Sequence, residues 1–166
     1  MNCCITGHRD IPEQHLPAVR EALRREIARA IDEGCTGFLS GFARGVDLWF
    51  AELVAECKRA HPQVRLEAAI PYAGRLRTPD PLFQRLLVAC DTVTVHSQEY
   101  DRACFWARDR AMVDASDLVL AVYDGRRGGG THYTLRYAQA QQRRVRIITP
   151  GADASAPAVE QAQWTL

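Results

Sequence analysis

Three short stretches of this 166-residue chain set glycines beside polar or charged side chains at the end of an apolar run. The first is Thr6-Gly7-His8-Arg9. The second is Ser40-Gly41-Phe42-Ala43-Arg44-Gly45-Val46-Asp47. The third is Gly128-Gly129-Gly130-Thr131, which follows Leu118 to Val122 and Asp124. Such stretches suit anion binding. Glycine lets the backbone turn tightly and lets a ligand approach the main chain. Where a helix begins just after the glycines, its first amides lack an intrahelical carbonyl and are offered to an anion, usually a phosphate. The amides of Gly129, Gly130 and Thr131 would hold that phosphate. Arg108 would add charge-assisted hydrogen bonds, and Arg9 would flank the anion. The expected partner is a nucleotide-derived small molecule, with no firm cofactor assignment.

Other residues admit two readings. Thr6 to Arg9 is either a plain strand-to-helix turn or a ligand loop at the carboxyl end of a central strand. Asp47 either complements a helix N-terminus or bonds a ribose hydroxyl or a loop amide. Pro71-Tyr72 ends an apolar run, as a turn or as a ring that stacks on a base or ribose. Arg75 and Arg77 are either loose surface charges or close over an anion.

The elements that must position these residues follow from apolar periodicity. Leu16, Val19, Leu23, Ile27 and Ile31 make one stripe of an amphipathic helix, with Pro12 near its first turn and Gly34 as its stop. Strands are expected at Asn2 to Thr6, Thr36 to Ser40, Val64 to Ile70, Thr92 to His96, Leu118 to Val122 and Val145 to Thr149. The strand at Thr92 suits a sheet edge. Helices are expected over Val46 to Ala60, Leu82 to Cys90, Tyr100 to Ala115 and Tyr133 to Gln142, with Thr131 at the N-cap or N1 of the last. Residues 73–82 read as a loop, and the chain from Pro150 as a surface tail or short helix. Leu118 to Val122 is continuously apolar, as in a strand covered on both faces. The alternation predicts a single α/β domain over residues 1–166: a three-layer, Rossmann-like sandwich with a mostly parallel central sheet.

Composition excludes several classes. The chain is 47% apolar and 25% charged, ordinary for a globular protein. A net charge of +1 argues against a broad surface for duplex nucleic acid, and nucleic acid is not the expected partner, although a local basic groove stays open. Apolar runs are of strand length, so no membrane span is expected, and the N-terminus lacks the pattern of a secretory signal. Six scattered cysteines form no Cys-x-x-Cys pair, and no histidine cluster completes a metal site. They read as small buried residues in a reducing cytoplasm. Trp49 and Phe50 read as core or as a homodimer surface, and an exposed Trp106 would mark a dimer face.

Taken together, Ser40-Gly41-x-x-x-Gly45-Val46-Asp47, Phe105-x-x-Arg108-x-x-x-Met112-Val113-Asp114-x-Ser116-Asp117, the Gly-Gly-Gly-Thr loop, Thr6 to Arg9 and Pro71-Tyr72 resemble the YpsA-like group of the SLOG superfamily. The resemblance covers residues 2 to 149. It implies a Rossmann-like sheet whose glycine loops bind a nucleotide or a derivative such as ADP-ribose or NAD. The related LOG phosphoribohydrolases carry Met-x-x-Arg-Lys-x-x-Met, and here Asp109 replaces the lysine. They also carry a catalytic Glu after their glycine loop, and here that place holds Thr134. Without that acid/base group the resemblance implies a sensor or binding protein. The alternatives are a hydrolase cleaving an N-glycosidic or phosphoester bond, with Asp47 or Asp124 (or Asp114) as acid/base, and a single-strand nucleic-acid binder like the related DprA proteins.

Overall fold

The computed structural model describes residues 1–161. Among them, seven strands form one sheet in the order β4-β3-β2-β1-β5-β6-β7. The strands are β1 (Asn2–Gly7), β2 (Gly37–Ser40), β3 (Arg65–Ile70), β4 (Thr92–Val95), β5 (Leu118–Val122), β6 (Arg144–Ile148) and β7 (Val159–Gln161). All pairings are parallel except that of β6 with β7. The helices are α1 (Leu16–Asp32), α2 (Val46–Cys57), α3 (Pro81–Ala89), α4 (Cys104–Asp114) and α5 (Gly129–Ala140).

Burial explains the layers. Every residue of β5 is buried. Leu118, Leu120 and Val122 pack into one core with α1, α2 and α3. Val119 and Ala121 point the other way, into a second core with Met112 and Val113 of α4 and Leu135 and Ala138 of α5. That alternation of neighbours follows from the two-residue period of a strand. On α1 the expected stripe holds: Val19, Leu23, Ile27 and Ile31 are buried. At about 1.5–3 kcal/mol per buried aliphatic side chain, packing outweighs the few tenths that helix propensity decides. Glu33 ends α1 and Gly34 follows with φ +99°.

Several expectations need correction. A one-turn 3₁₀ helix (Glu13–His15) precedes α1, which itself starts at Leu16. Residues 73–82 are not an open loop. They hold a 3₁₀ helix (Ala73–Arg77) and the start of α3, where Asp80 caps the helix by accepting from the Leu82 amide at 2.9 Å. Helix α4 begins at Cys104, four residues later than expected. Helix α5 begins at Gly129 with Gly128 as N-cap, so Thr131 lies inside the first turn. The segment after Pro150 turns back and adds β7 as an antiparallel edge, while residues 162–166 lie outside the described part. Phe50 is fully buried and Trp49 packs against the core, so neither is a surface patch, whereas Trp106 is 52% exposed.

No helix of the described residues is long and apolar enough to cross a membrane. Among them, no group of three or more His, Cys, Asp or Glu side chains is placed to hold a metal ion.

Candidate functional site

The sheet order fixes where a ligand cleft must lie. The chain leaves β1 in one direction to build β2, β3 and β4, and β5 begins the other half on the opposite side of β1. Loops at the carboxyl ends of β1 and β5 therefore diverge, and a crevice opens between them. Here it is a cleft of about 210 Å³. From β1 and its loop come Ile5, Thr6, Gly7, His8 and Arg9. From the loop after β2 and the first turn of α2 come Ala43 and Asp47. Helix α4 adds Arg108 and Asp109, and α5 adds Gly130 and Thr131.

The loop after β2 is built tightly. Ser40 is fully buried, its hydroxyl donating to the Asp47 carbonyl at 2.8 Å and accepting from the Phe42 amide at 3.3 Å. It sets the loop and does not line the cleft. Asp47 in turn accepts from the Ala43 amide at 3.2 Å. Gly41 is needed for close approach: a Cβ there would meet the Arg108 guanidinium and would lie 2.7 Å from the Asp47 carboxylate. Phe42 takes a positive φ of +55°, uncommon for a bulky residue. Its ring is buried edge-on against Phe83, 5.3 Å between centroids, which holds the backbone there.

Arg108 reaches this loop from the other core. It is 4% exposed and donates to the carbonyls of Gly41 and Ala69 and, at 2.6 Å, to Asp109. These bonds use Nε and Nη1 and tie α4 to the ends of β2 and β3. Asp109, which sequence reasoning took only as a departure from a family pattern, lines the cleft. It also accepts from the Thr134 hydroxyl at 3.3 Å, while that hydroxyl lies 2.9 Å from the Gly130 carbonyl. A carboxylate thus stands on α4 beside the α5 position that lacks one. Nothing in the local sequence pairs residues 109 and 134; only the packing of α4 on α5 does.

Burial pushes the Asp47 carboxyl up to about 6, with the nearby Arg108 charge and the Ala43 amide pulling the other way. His8 behaves differently. Burial lowers its pKa although Asp124 pulls it up, so the ring is neutral at pH 7. Its Nε2 lies 3.0 Å from Asp124. Hydrogen bonds from Arg126 hold Asp124 down at about 2. Arg126 also grips Asp10 at 2.8 Å, so the chain Asp10–Arg126–Asp124–His8 clamps the loop after β1 to the loop after β5.

The remaining expected residues spread out. Gly45, with φ +92°, is the N-cap of α2 beside the cleft. Gly128 and Gly129 have φ +84° and +80° and open the α5 N-terminus into a neighbouring groove. Pro71 is buried at the end of β3 and Tyr72 packs edge-on against Tyr100 and Phe105 at 5.5 and 6.3 Å. Neither lines the cleft, because β2 stands between β3 and β1. Arg75 and Arg77 belong to the 3₁₀ helix there and do not line it either.

A sequence model described as the YspA SLOG family matches residues 3–150. A UPF0398 protein of Halalkalibacterium halodurans is 28% identical over 142 residues, covering 80% of this chain and 75% of that protein. A UPF0398 protein of Ligilactobacillus salivarius is 26% identical over 148 residues, covering 80% of each. Among solved structures, DNA processing protein A of Helicobacter pylori, described by its single-stranded DNA binding mode, superposes with a TM-score of 0.64 at 21% identity. That match covers 89% of this chain and 64% of the other, so the chain spans just under two thirds of that protein. TM1055 superposes with a TM-score of 0.55 at 16% identity, covering 87% of this chain and 71% of the other. At these identities the two structures share the fold.

Proposed function

The chain belongs to the YspA SLOG family, and on that premise we propose that it binds a nucleotide or nucleotide-derived ligand, of the ADP-ribose or NAD type, as a sensor or binding protein. The observation that carries this reading is the convergence of the loops after β1 and β2 and the first turn of α5 on one cleft. The first amides of α5 and the side chain of Arg9 supply the anion contacts, and the helix dipole favours negative charge there. Asp47 faces the same cleft and can accept from a sugar hydroxyl. A binding role suits Asp109 and Asp124 better than hydrolysis does. Asp109 is engaged by Arg108 and Thr134, and Asp124 by Arg126 and His8. A general acid or base has to meet its substrate instead.

Isothermal titration calorimetry with AMP, ADP-ribose and NAD tests the reading. We expect at least one to bind, and Gly130→Asp to weaken it at least about tenfold by setting a carboxylate against the phosphate. A Cβ at Gly130 meets nothing within 4 Å and its φ is not positive, so the fold accepts the change. Absence of binding by all three, or unchanged binding by the variant, removes the proposal.

A further inference from the structure

Beyond the cleft lies a larger and open groove of about 600 Å³ between the outer faces of α4 and α5. It meets the cleft at Gly130, which lines both. Trp106 and Arg110 stand one helical turn apart on α4, and Tyr133 and Tyr137 one turn apart on α5. The Trp106 and Tyr133 rings are 5.5 Å apart and tilted by 31°. The Arg110 guanidinium sits 5.6 Å from the Tyr133 ring and 5.5 Å from the Tyr137 ring. Arg136 is exposed beside them. Among the described residues no carboxylate lines this groove, and the neighbouring Asp114 accepts from the Tyr137 hydroxyl at 3.0 Å.

An open surface of alternating rings and guanidinium groups without acids selects a partner that is both anionic and flat-ringed. We propose that this groove binds single-stranded nucleic acid, with bases stacking on Trp106 and Tyr133 and phosphates meeting Arg110 and Arg136. Stacking on a side chain needs an unpaired base, which excludes the duplex. A second copy of this chain fits less well. A twofold contact would set arginine-lined surfaces of one sign against each other. The proposal rests on the groove and not on nucleotide binding in the cleft, which calorimetry of Trp106→Ala, a residue outside the cleft, judges separately.

Fluorescence anisotropy with a labelled oligothymidylate of about 20 nucleotides tests it. For two phosphate contacts the logarithm of affinity should fall with that of salt at a slope of about −1.4, or about sevenfold from about 50 to about 200 mM. Trp106→Ala should weaken binding roughly tenfold and Trp106→Phe should restore most of it. Arg110→Ala should reduce the salt slope by about 0.7, the share of one single-strand phosphate contact. Trp106 is 52% exposed, so these variants keep the fold, and circular dichroism verifies that. The proposal is overturned if the oligonucleotide fails to bind at low salt, or if Trp106→Ala binds it like wild type. It is equally overturned if Trp106→Ala turns a dimer into a monomer in sedimentation, or if a tyrosine-rich acidic peptide competes as well as unlabelled oligonucleotide.

Discussion

Asp47→Asn is expected to make the protein more stable at pH 8, by about 2–3 kcal/mol, and to leave it unchanged near pH 4. The carboxyl is buried, and its pKa rises from 3.8 to about 6 on folding. A raised carboxyl pKa means the native state holds its proton more tightly than the unfolded chain does. Its stabilising contribution is then complete below about pH 4, declines between about 4 and 6, and is gone above that. Two pKa units correspond to about 3 kcal/mol. Asparagine keeps an oxygen for the Ala43 amide, 3.2 Å away in the wild type, and carries no charge to desolvate. Urea unfolding at both pH values measures the difference. A variant destabilised more at pH 8 than at pH 4 would show that attraction to Arg108 outweighs burial.

Arg146→Met should cost about 3–5 kcal/mol and lower the melting temperature by about 10 °C. Arg146 lies on β6, fully buried, with Glu33 at 2.6 Å and with Glu26 of α1 and Glu160 of β7 at 3.6 Å each. Glu26 is 1% exposed, and its Oε2 has no hydrogen bond among the described residues. Removing the arginine leaves that carboxylate buried with only the Arg29 guanidinium at 3.7 Å and the Ala158 amide at 3.3 Å beside it. The double variant Arg146→Met, Glu26→Leu should recover most of the loss, since the pair is worth far less than either half alone. Thermal unfolding of the set decides. If the single variant melts within about 2 °C of wild type, the cluster is not what holds β6, β7 and α1 together.

The strand, loop and helix alternation was legible because each link is local. Leu118 to Val122 is apolar throughout, and a strand covered on both faces has to be. The glycine stretches were legible as loops for the same reason. What escaped depends on contacts across long stretches of chain. β7 carries too few apolar residues to register as a strand; it forms because Val159 to Gln161 pair with β6 and Glu160 meets Arg144 at 2.7 Å. Asp109 became a cleft residue only when α4 packed on α5. Tyr72 sits at a strand end, as read, but strand order puts that end on the far side of β2. The groove of Trp106 and Tyr133 has half its surface on each of two helices, so neither helix shows it alone. The Asp10–Arg126–Asp124–His8 clamp likewise joins residues more than 100 positions apart.

β1 precedes every other strand of the sheet in the chain, yet one of its edges stays open until β5 is made. It pairs with β2 through Cys3 and Phe38, but its other edge waits for Leu118 to Val122. At about 5–20 residues per second, that delay is roughly 6–20 seconds. During it, Cys3, Cys4 and Ile5 present an unpaired apolar edge, and no cleft exists because one of its walls has not been made. Ribosome-bound chains arrested before residue 118 should therefore be cut readily by protease in β1, and chains arrested once β6 has emerged should resist. Any ligand of the cleft can therefore meet only a polypeptide in which β1 to β5 and the first turn of α5 have been made.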